Sequence, residues 1–171
     1  GASVCETREG GILETTRRDF LGRAAIGPAI LAAAGSGRAA AANSRVRTAV
    51  VGTGGRGTHL LGLALHRAQE KGDVEIVALC DVYQKRLDAA RALAKSKGHD
   101  PKTFTHHQDL LAQRDIDAVI IATPDHWHAP VTLLALEGGR DVYCEKPMTH
   151  TLEEARQVSE KVKSLNRVMQ V

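Results

Sequence analysis

The sequence has 171 residues, of which 43% are hydrophobic and only 3% aromatic, so it can bury the aliphatic core of one ordinary domain plus an extension. Its 23 basic and 20 acidic residues give a formal net charge of +3 and form no basic cluster, which argues against a nucleic-acid-binding protein. Three cysteines without close spacing argue against a disulfide framework and against a CxxC metal site.

Residues 1–42 have the layout of an export signal. The stretch Thr16-Arg17-Arg18-Asp19-Phe20-Leu21 resembles the twin-arginine signal, in which Ser or Thr precedes Arg-Arg-x-Phe-Leu. An apolar run over residues 24–34 follows, and the small residues over 39–42 suit a signal peptidase that cleaves near Ala41 or Ala42. We therefore expect residues 1–42 to be a twin-arginine signal peptide or a disordered tail.

This signal also predicts a partner and a location. The resemblance to a twin-arginine signal implies a route that carries folded proteins. We therefore expect the export machinery as a partner and the periplasm, or another extracytoplasmic space, as the destination. The apolar run is too short, and too interrupted by Gly27 and Pro28, to span a bilayer. No cysteine follows it, so we expect no stable membrane anchor. The alternative is a chance Arg-Arg pair in an alanine-rich tail.

Residues 43–171 alternate short β-rich runs with helical patterns. Strands are predicted over residues 47–51, 74–80, 103–105, 118–122, 141–144 and 167–171. Helices are predicted over residues 59–69, 84–97, 109–113 and 130–137, and from a capping box that begins at Thr151. This alternation predicts an α/β fold, a doubly wound parallel sheet with the open Rossmann strand order.

A glycine-rich turn connects the first predicted strand to the first predicted helix. Gly52-Thr53-Gly54-Gly55-Arg56-Gly57 fits the pattern G-x-G-x-x-G, which is weak by itself but informative between a strand and a helix. The glycines allow a tight turn and a close approach of the backbone to a pyrophosphate, while the helix N-terminus offers unpaired N–H groups. The turn therefore predicts a dinucleotide-binding cradle.

An acidic residue at the end of the second strand supports this prediction. Asp81 lies 24 residues after Gly57, where its carboxylate can accept two hydrogen bonds from the adenosine ribose. The same charge repels a 2′-phosphate, so the expected cofactor is NAD. Lys85 and Arg86 follow within one helical turn and could weaken that preference, so NADP stays possible.

Two further stretches follow strands at the edge where ligands bind in such sheets. Thr123, Pro124, His126 and His128 come after the fourth strand, and we expect them to line the cofactor groove with Trp127 packed beside it. Glu145-Lys146-Pro147 comes after the fifth strand. An X-Pro bond at such a turn is a candidate for the cis form.

The stretches "ATPDHWHAP" and "DVYCEKPMT", together with the glycine-rich turn, resemble the N-terminal domain of the glucose-fructose oxidoreductase/inositol dehydrogenase family (Gfo/Idh/MocA), from about Val46 to Val171. The resemblance implies an NAD(P)-dependent dehydrogenase that acts on sugars or cyclitols. It also implies that Lys146 is catalytic and polarises a hydroxyl or carbonyl oxygen, that Lys146 borders the cofactor, and that Glu145 contacts the cofactor or fixes Lys146. We expect the parent protein to be a homo-oligomer.

In the family, the catalytic Asp and His belong to a second α+β substrate domain that follows the Rossmann domain. We therefore expect that domain to be absent from this fragment, and the fragment to bind the dinucleotide without turning over substrate. Two alternatives stay open: an NAD-dependent glycosidase and a non-catalytic relative. The Glu-Lys-Pro triplet favours the dehydrogenase over the glycosidase. His126, His128 and Cys144 could suggest a metal site, but no second spaced pair supports it, so no metal is expected.

Overall fold

The computed structural model describes residues 45–171. The segment predicted as a twin-arginine signal, residues 1–42, lies outside the described residues. Short β-branched and aliphatic runs form strands between helices, as the alternation of the sequence predicts. Between residues 45 and 171, no helix combines the length and the apolar character that crossing a bilayer requires.

Six parallel strands form the described sheet, in the order β3-β2-β1-β4-β5-β6. They are β1 Val46–Val51, β2 Val74–Cys80, β3 Lys102–Phe104, β4 Ala118–Ile121, β5 Asp141–Cys144 and β6 Met169–Gln170. The predicted doubly wound sheet with Rossmann order is therefore confirmed.

Five α-helices and one 3₁₀ turn connect the strands of this region. They are α1 Gly55–Lys71, α2 Gln84–Ser96, α3 His107–Leu111, the 3₁₀ turn Asp125–Trp127, α4 His128–Glu137 and α5 Leu152–Ser164. The predicted capping box at the start of α5 is present, because Thr151 accepts from the Glu154 N–H while the Glu154 carboxylate accepts from the Thr151 N–H.

Element boundaries differ from the predictions where the apolar pattern is silent. Helix α1 begins at Gly55, earlier than the predicted residue 59, because the glycine-rich turn already forms its first turn while the apolar pattern starts only at Leu60. Strand β6 covers Met169–Gln170 rather than residues 167–171. Only Met169 and Gln170 pair with β5, opposite Val142 and Tyr143, and the neighbouring Val168 adds a single bond from the Val142 N–H to its carbonyl.

Two aliphatic cores cover opposite faces of the sheet. On one face, helices α1 and α2 bury Leu61, Leu65 and Leu87 against the strands. On the other, α3 and α4 contribute a larger cluster that includes Val131 and Leu136. Alternate residues of each strand point to opposite faces, which explains why one strand serves both cores. The two described cysteines, Cys80 and Cys144, are free and buried.

The parallel register brings the ends of four strands to the same edge. Val51 pairs with Cys80 on one side and Ile121 on the other, and Ile121 pairs with Cys144. The bonds Gly52 N–H to Cys80 C=O (2.8 Å), Ala122 N–H to Val51 C=O (2.8 Å) and Glu145 N–H to Ile121 C=O (2.9 Å) extend these ladders by one residue. The residues predicted to bind the cofactor therefore start from one edge of the sheet.

Candidate functional site

The glycines of the turn after β1 fall into two groups. Gly52 has φ +88°, and a Cβ there would lie 2.6 Å from the Ala122 carbonyl oxygen; at Gly57 a Cβ would overlap the Gly52 carbonyl. These two positions need glycine for the backbone to fold. At Gly54 a Cβ would meet only Arg86, at 3.6 Å, and at Gly55 it would meet nothing within 4 Å. The turn is therefore open above Gly54 and Gly55, so another molecule can approach the backbone there.

Helix α1 presents its N-terminus to this open side. Its N-cap, Gly54, makes no side-chain capping bond, and the first turn contains no acidic residue. The Thr58 N–H bonds to the Gly54 carbonyl at 2.8 Å, so the N–H groups before it lie at the free start of the helix. Such a terminus carries partial positive charge and favours an anion. The geometry suits a pyrophosphate.

Asp81 supports the turn from the end of β2. Its carboxylate is buried, and Oδ2 accepts hydrogen bonds from the Thr53 N–H at 2.7 Å and the Thr53 hydroxyl at 3.1 Å. Oδ1 accepts from the Tyr83 N–H at 2.8 Å. A carboxylate has about four acceptor positions. Three are in use, so one is left for a ribose hydroxyl.

A cavity of about 260 Å³ lies between the ends of β2 and β4 and is called here the Trp127 cavity; Asp81, Val82, His107, Pro124 and Trp127 are among its lining residues. The rings of His107 and Trp127 lie 5.3 Å apart, centroid to centroid. Burial lowers the pKa of His107, which favours its neutral form. The two rings therefore give the cavity flat, uncharged surfaces that suit a heteroaromatic ring, while the Asp81 carboxylate also lines it.

A second cavity, of about 850 Å³, lies between the ends of β4 and β5 and is called here the Lys146 cavity. Thr123 lines both cavities, so the two adjoin at the end of β4. The Thr123 hydroxyl is buried and has no hydrogen-bond partner among the described residues. His126, in contrast, lines neither cavity, and its ring lies 6.0 Å from that of Trp127. A contact of His126 with the cofactor therefore stays a prediction.

His128 connects two loops and also lines the Lys146 cavity. Its buried ring places Nε2 2.9 Å from the Thr123 carbonyl oxygen and Nδ1 2.6 Å from the Pro147 carbonyl oxygen. Both ring nitrogens are thus engaged by backbone carbonyls, and a contact of His128 with the cofactor stays a prediction. The ring therefore connects the segment after β4 to the Glu-Lys-Pro turn.

The Glu-Lys-Pro turn after β5 is fixed by its glutamate. The Glu145 side chain is buried, and Oε2 accepts the Lys146 N–H at 3.2 Å while Oε1 pairs with the Arg56 guanidinium at 2.6 Å. The hydrogen bond from Arg56 lowers the pKa of Glu145. The Lys146–Pro147 peptide is cis, as the sequence analysis anticipates. The side chain of Lys146 is exposed and lines the Lys146 cavity.

Sequence reasoning did not anticipate three contacts at this edge. The Arg56–Glu145 ion pair joins residues 89 positions apart, and Tyr143 lines the Lys146 cavity beside it. His150 places Nε2 3.1 Å from Oδ2 of Asp125, which lines the Lys146 cavity, and this contact lowers the pKa of Asp125. The sequence carries no signal for these pairs, because their members belong to different βα units. Within residues 45–171, no three His, Cys, Asp or Glu side chains cluster as metal ligands.

Comparison with known proteins gives a family match over the whole fold. Residues 46–171 match the GFO_IDH_MocA family, described as an oxidoreductase family with an NAD-binding Rossmann fold. Among curated proteins, a glycosyl hydrolase family 109 protein from Shewanella sp. (strain W3-18-1) is 36% identical over 118 residues, which are 66% of this chain and 25% of that protein. The match thus spans about a quarter of that relative's length.

Solved structures of dehydrogenases share the fold. The myo-inositol dehydrogenase from Lactobacillus casei, in complex with NAD(H) and myo-inositol, is 27% identical with a TM-score of 0.65, over 74% of this chain and 36% of that one. The WlbA dehydrogenase from Bordetella pertussis, in complex with NADH and UDP-GlcNAcA, is 28% identical with a TM-score of 0.63, over 72% and 34% of the two chains.

Proposed function

Because the chain belongs to the Gfo/Idh/MocA oxidoreductase family, with residues 46–171 as its NAD-binding Rossmann domain, we propose that it holds the dinucleotide for a hydride transfer to or from a sugar or cyclitol hydroxyl. One observation carries the proposal: the parallel strands bring an open glycine-rich turn, Asp81 and Lys146 to the same edge of the sheet.

The residues at this edge fit a dinucleotide. The open side of Gly54 and Gly55 and the uncapped start of α1 would hold the pyrophosphate. Asp81 and the Trp127 cavity would hold the adenosine, since the cavity has flat walls and the carboxylate has one free acceptor position. The Thr123 hydroxyl, which has no hydrogen-bond partner within residues 45–171, would meet the cofactor where the two cavities adjoin.

Lys146 would serve the chemistry at the other end. When bound, the nicotinamide supplies the hydride acceptor or donor. The ammonium group of Lys146 would donate a hydrogen bond to the substrate oxygen and place positive charge where an alkoxide develops. Glu145 does not reach the substrate in this scheme, because its carboxylate is buried and bonded to Arg56 and to the Lys146 N–H.

The charges near the ribose position favour NAD without excluding NADP. The Asp81 carboxylate repels a 2′-phosphate. Arg86 offsets part of this repulsion, since its Nη1 lies 3.6 Å from the position of a Cβ on Gly54 and its guanidinium stacks on Tyr83 at 5.6 Å. We expect tighter binding of NAD than of NADP.

Fluorescence of Trp127 provides the direct test. Trp127 is the only tryptophan of the sequence, and it lines the proposed adenosine cavity. Titration of the 171-residue chain with NAD, NADH and NADP should quench its emission, with the weakest response for NADP. Calorimetric titration of a Trp127→Phe variant checks that the signal reports binding. Absence of binding of all three dinucleotides would refute the proposed function.

A glycosidase that uses NAD transiently is the second candidate, and the relative named as a glycosyl hydrolase supports it. The presence of Lys146 favours the dehydrogenase. A longer protein that contains this chain should be assayed on free sugars and on aryl glycosides. Net formation of NADH from free sugars supports the dehydrogenase, whereas aryl release without net NADH supports the glycosidase.

We also propose that the parent protein is exported by the twin-arginine route and functions as a homo-oligomer outside the cytoplasm. The support for export is the motif at Arg17 and Arg18, together with the mass-action stabilisation of a folded, cofactor-loaded domain. Cell fractionation of an Arg17→Lys, Arg18→Lys variant tests the route, and unchanged export would contradict it. Sedimentation analysis of the parent protein tests the oligomer.

A further inference from the structure

One ion pair connects the first turn of α1 to the Glu-Lys-Pro turn after β5. Arg56, in the glycine-rich turn, places both Nε and Nη2 2.6 Å from Oε1 of Glu145. The arginine side chain is 54% exposed, whereas that of the glutamate is 9% exposed. The pair therefore runs from the surface of the dinucleotide cradle to a nearly buried carboxylate.

The carboxylate of Glu145 also contacts the backbone of Lys146. Its Oε2 accepts the Lys146 backbone N–H at 3.2 Å, and its Oε1 also accepts the Tyr143 hydroxyl at 3.4 Å. Among residues 45–171, Arg56 is the only cationic side chain in ion-pair contact with this carboxylate. A nearly buried carboxylate without a cation would lose the charge that holds the Lys146 N–H.

The same contacts bear on the expected role of Arg56 toward the cofactor. Two of its guanidinium nitrogens contact one oxygen of Glu145, so the side chain points to the Glu-Lys-Pro turn. The backbone N–H of Arg56 stays at the start of α1, where a phosphate would bind. One residue thus contributes its backbone to the cradle and its side chain to the turn.

We propose that Arg56 is a positioning residue: it fixes the Glu145 carboxylate and, through it, the backbone of Lys146, so that the seating of the cradle and the placement of the Lys146 ammonium are coupled. The inference rests on the proposed function of Lys146. It predicts that loss of the Arg56 side chain disturbs Lys146 more than it weakens dinucleotide binding.

The environment of Lys146 can be measured without turnover. Lysines of the 171-residue chain are labelled by reductive ¹³C-methylation, and the Lys146 signal is assigned with Lys146→Arg. We expect Arg56→Gln and Glu145→Gln to shift this NMR signal and to reduce its response to NAD. Arg67→Gln is the matched control, because Arg67 lies on the same helix and pairs with Asp73 instead. An unchanged Lys146 signal in folded Arg56→Gln would overturn the proposal.

Kinetics of a longer protein that contains the chain separate positioning from cofactor binding. Arg56→Gln should lower kcat about 10- to 100-fold, as expected when a catalytic group is displaced by about 1 Å. The Kd for NAD should change less than about threefold, and Arg56→Lys should recover part of kcat. A weaker affinity for NAD at unchanged kcat would place Arg56 on the cofactor and overturn the proposal.

The two hypotheses fail in different ways. If the unmodified chain binds no dinucleotide, the proposed function fails, while the Lys146 signal still shows whether Arg56 acts through Glu145. If the chain binds NAD and the Lys146 signal ignores Arg56, only the positioning role fails.

Discussion

The backbone N–H of Thr53 donates a 2.7 Å hydrogen bond to the carboxylate of Asp81, 28 positions further along the chain. The Thr53 hydroxyl adds a second bond at 3.1 Å to the same oxygen. Both residues are buried. The acidic residue at the end of β2 therefore stabilises the glycine-rich turn in addition to any contact that it makes with a ribose.

Asp81→Ala should weaken both the fold and the cofactor site. It leaves the buried Thr53 N–H without an acceptor, which costs about 1–3 kcal/mol of unfolding free energy. We also expect at least a tenfold loss of NAD affinity, since a charge-assisted bond to the ribose disappears. Urea unfolding and Trp127 fluorescence titration measure the two effects. Thr53→Val is the control: it keeps the backbone bond and frees an acceptor on Asp81, so it should retain NAD binding. An Asp81→Ala protein with full affinity would contradict this account.

Gly57→Ala should prevent the turn from closing. Its Cβ would overlap the Gly52 carbonyl, which belongs to the backbone and cannot move without the turn. We expect a loss of several kcal/mol of unfolding free energy, about the size of an overpacked core substitution or more, and no detectable NAD binding. Differential scanning calorimetry and titration measure these effects.

Gly62 provides the opposite control within the same helix. A Cβ there meets no heavy atom within 4 Å, and the residue lies in the interior of α1. Gly62→Ala should therefore raise the unfolding free energy by about 0.5–1 kcal/mol and leave NAD affinity unchanged. If both glycine variants behaved alike, steric closure of the turn would not explain the Gly57 result.

Thr151→Ala should destabilise the start of α5. The Thr151 hydroxyl accepts the Glu154 N–H at 3.1 Å, and the Glu154 carboxylate accepts the N–H groups of Thr151 and His150 in return. Loss of this N-cap costs about 1 kcal/mol. Thermal unfolding should show the loss for Thr151→Ala and little change for Thr151→Ser, which keeps the hydroxyl. Equal stability of all three proteins would argue against the cap.

The two buried thiols predict a loss of stability at high pH. Burial raises the pKa of Cys80 to about 12, with Asp81 adding to the effect, and burial raises that of Cys144 to about 11. The unfolded chain releases these protons from about pH 9, the ordinary value, so above it the folded chain binds more protons and stability falls as pH rises. Unfolding from pH 8 to 10.5 measures this slope, which Cys80→Ala should reduce.

Alkylation gives an independent check on the same thiols. Because the thiolate is the reactive form, Cys80 and Cys144 should resist iodoacetamide at pH 8 in a Cys5→Ser variant and react after unfolding in urea. Rapid labelling of the folded protein would show that these groups are neither buried nor protonated.

The features of the fold that depend on one short segment of the chain could be predicted from the sequence. The G-x-G-x-x-G turn needs glycine at Gly52 and Gly57 for local steric reasons, and the apolar runs identify the strands of a parallel sheet. The contact between His128 and Pro147 and the pairing of Arg56 with Glu145 could not be predicted in this way. They depend on how two βα units pack, and any exposed arginine or helix-starting histidine has the same local pattern.

Strand β1 also determines where the domain can be attached to a surface. Val46 lies at the end of the sheet opposite the glycine-rich turn, and six residues of extended strand separate the two by roughly 20 Å. Arg47 anchors this end through a two-pronged pair with Asp117. The domain could therefore be coupled to a sensor chip or resin through the polypeptide that precedes Arg45. The opposite edge of the sheet, where a nucleotide would bind, would then stay accessible to solution.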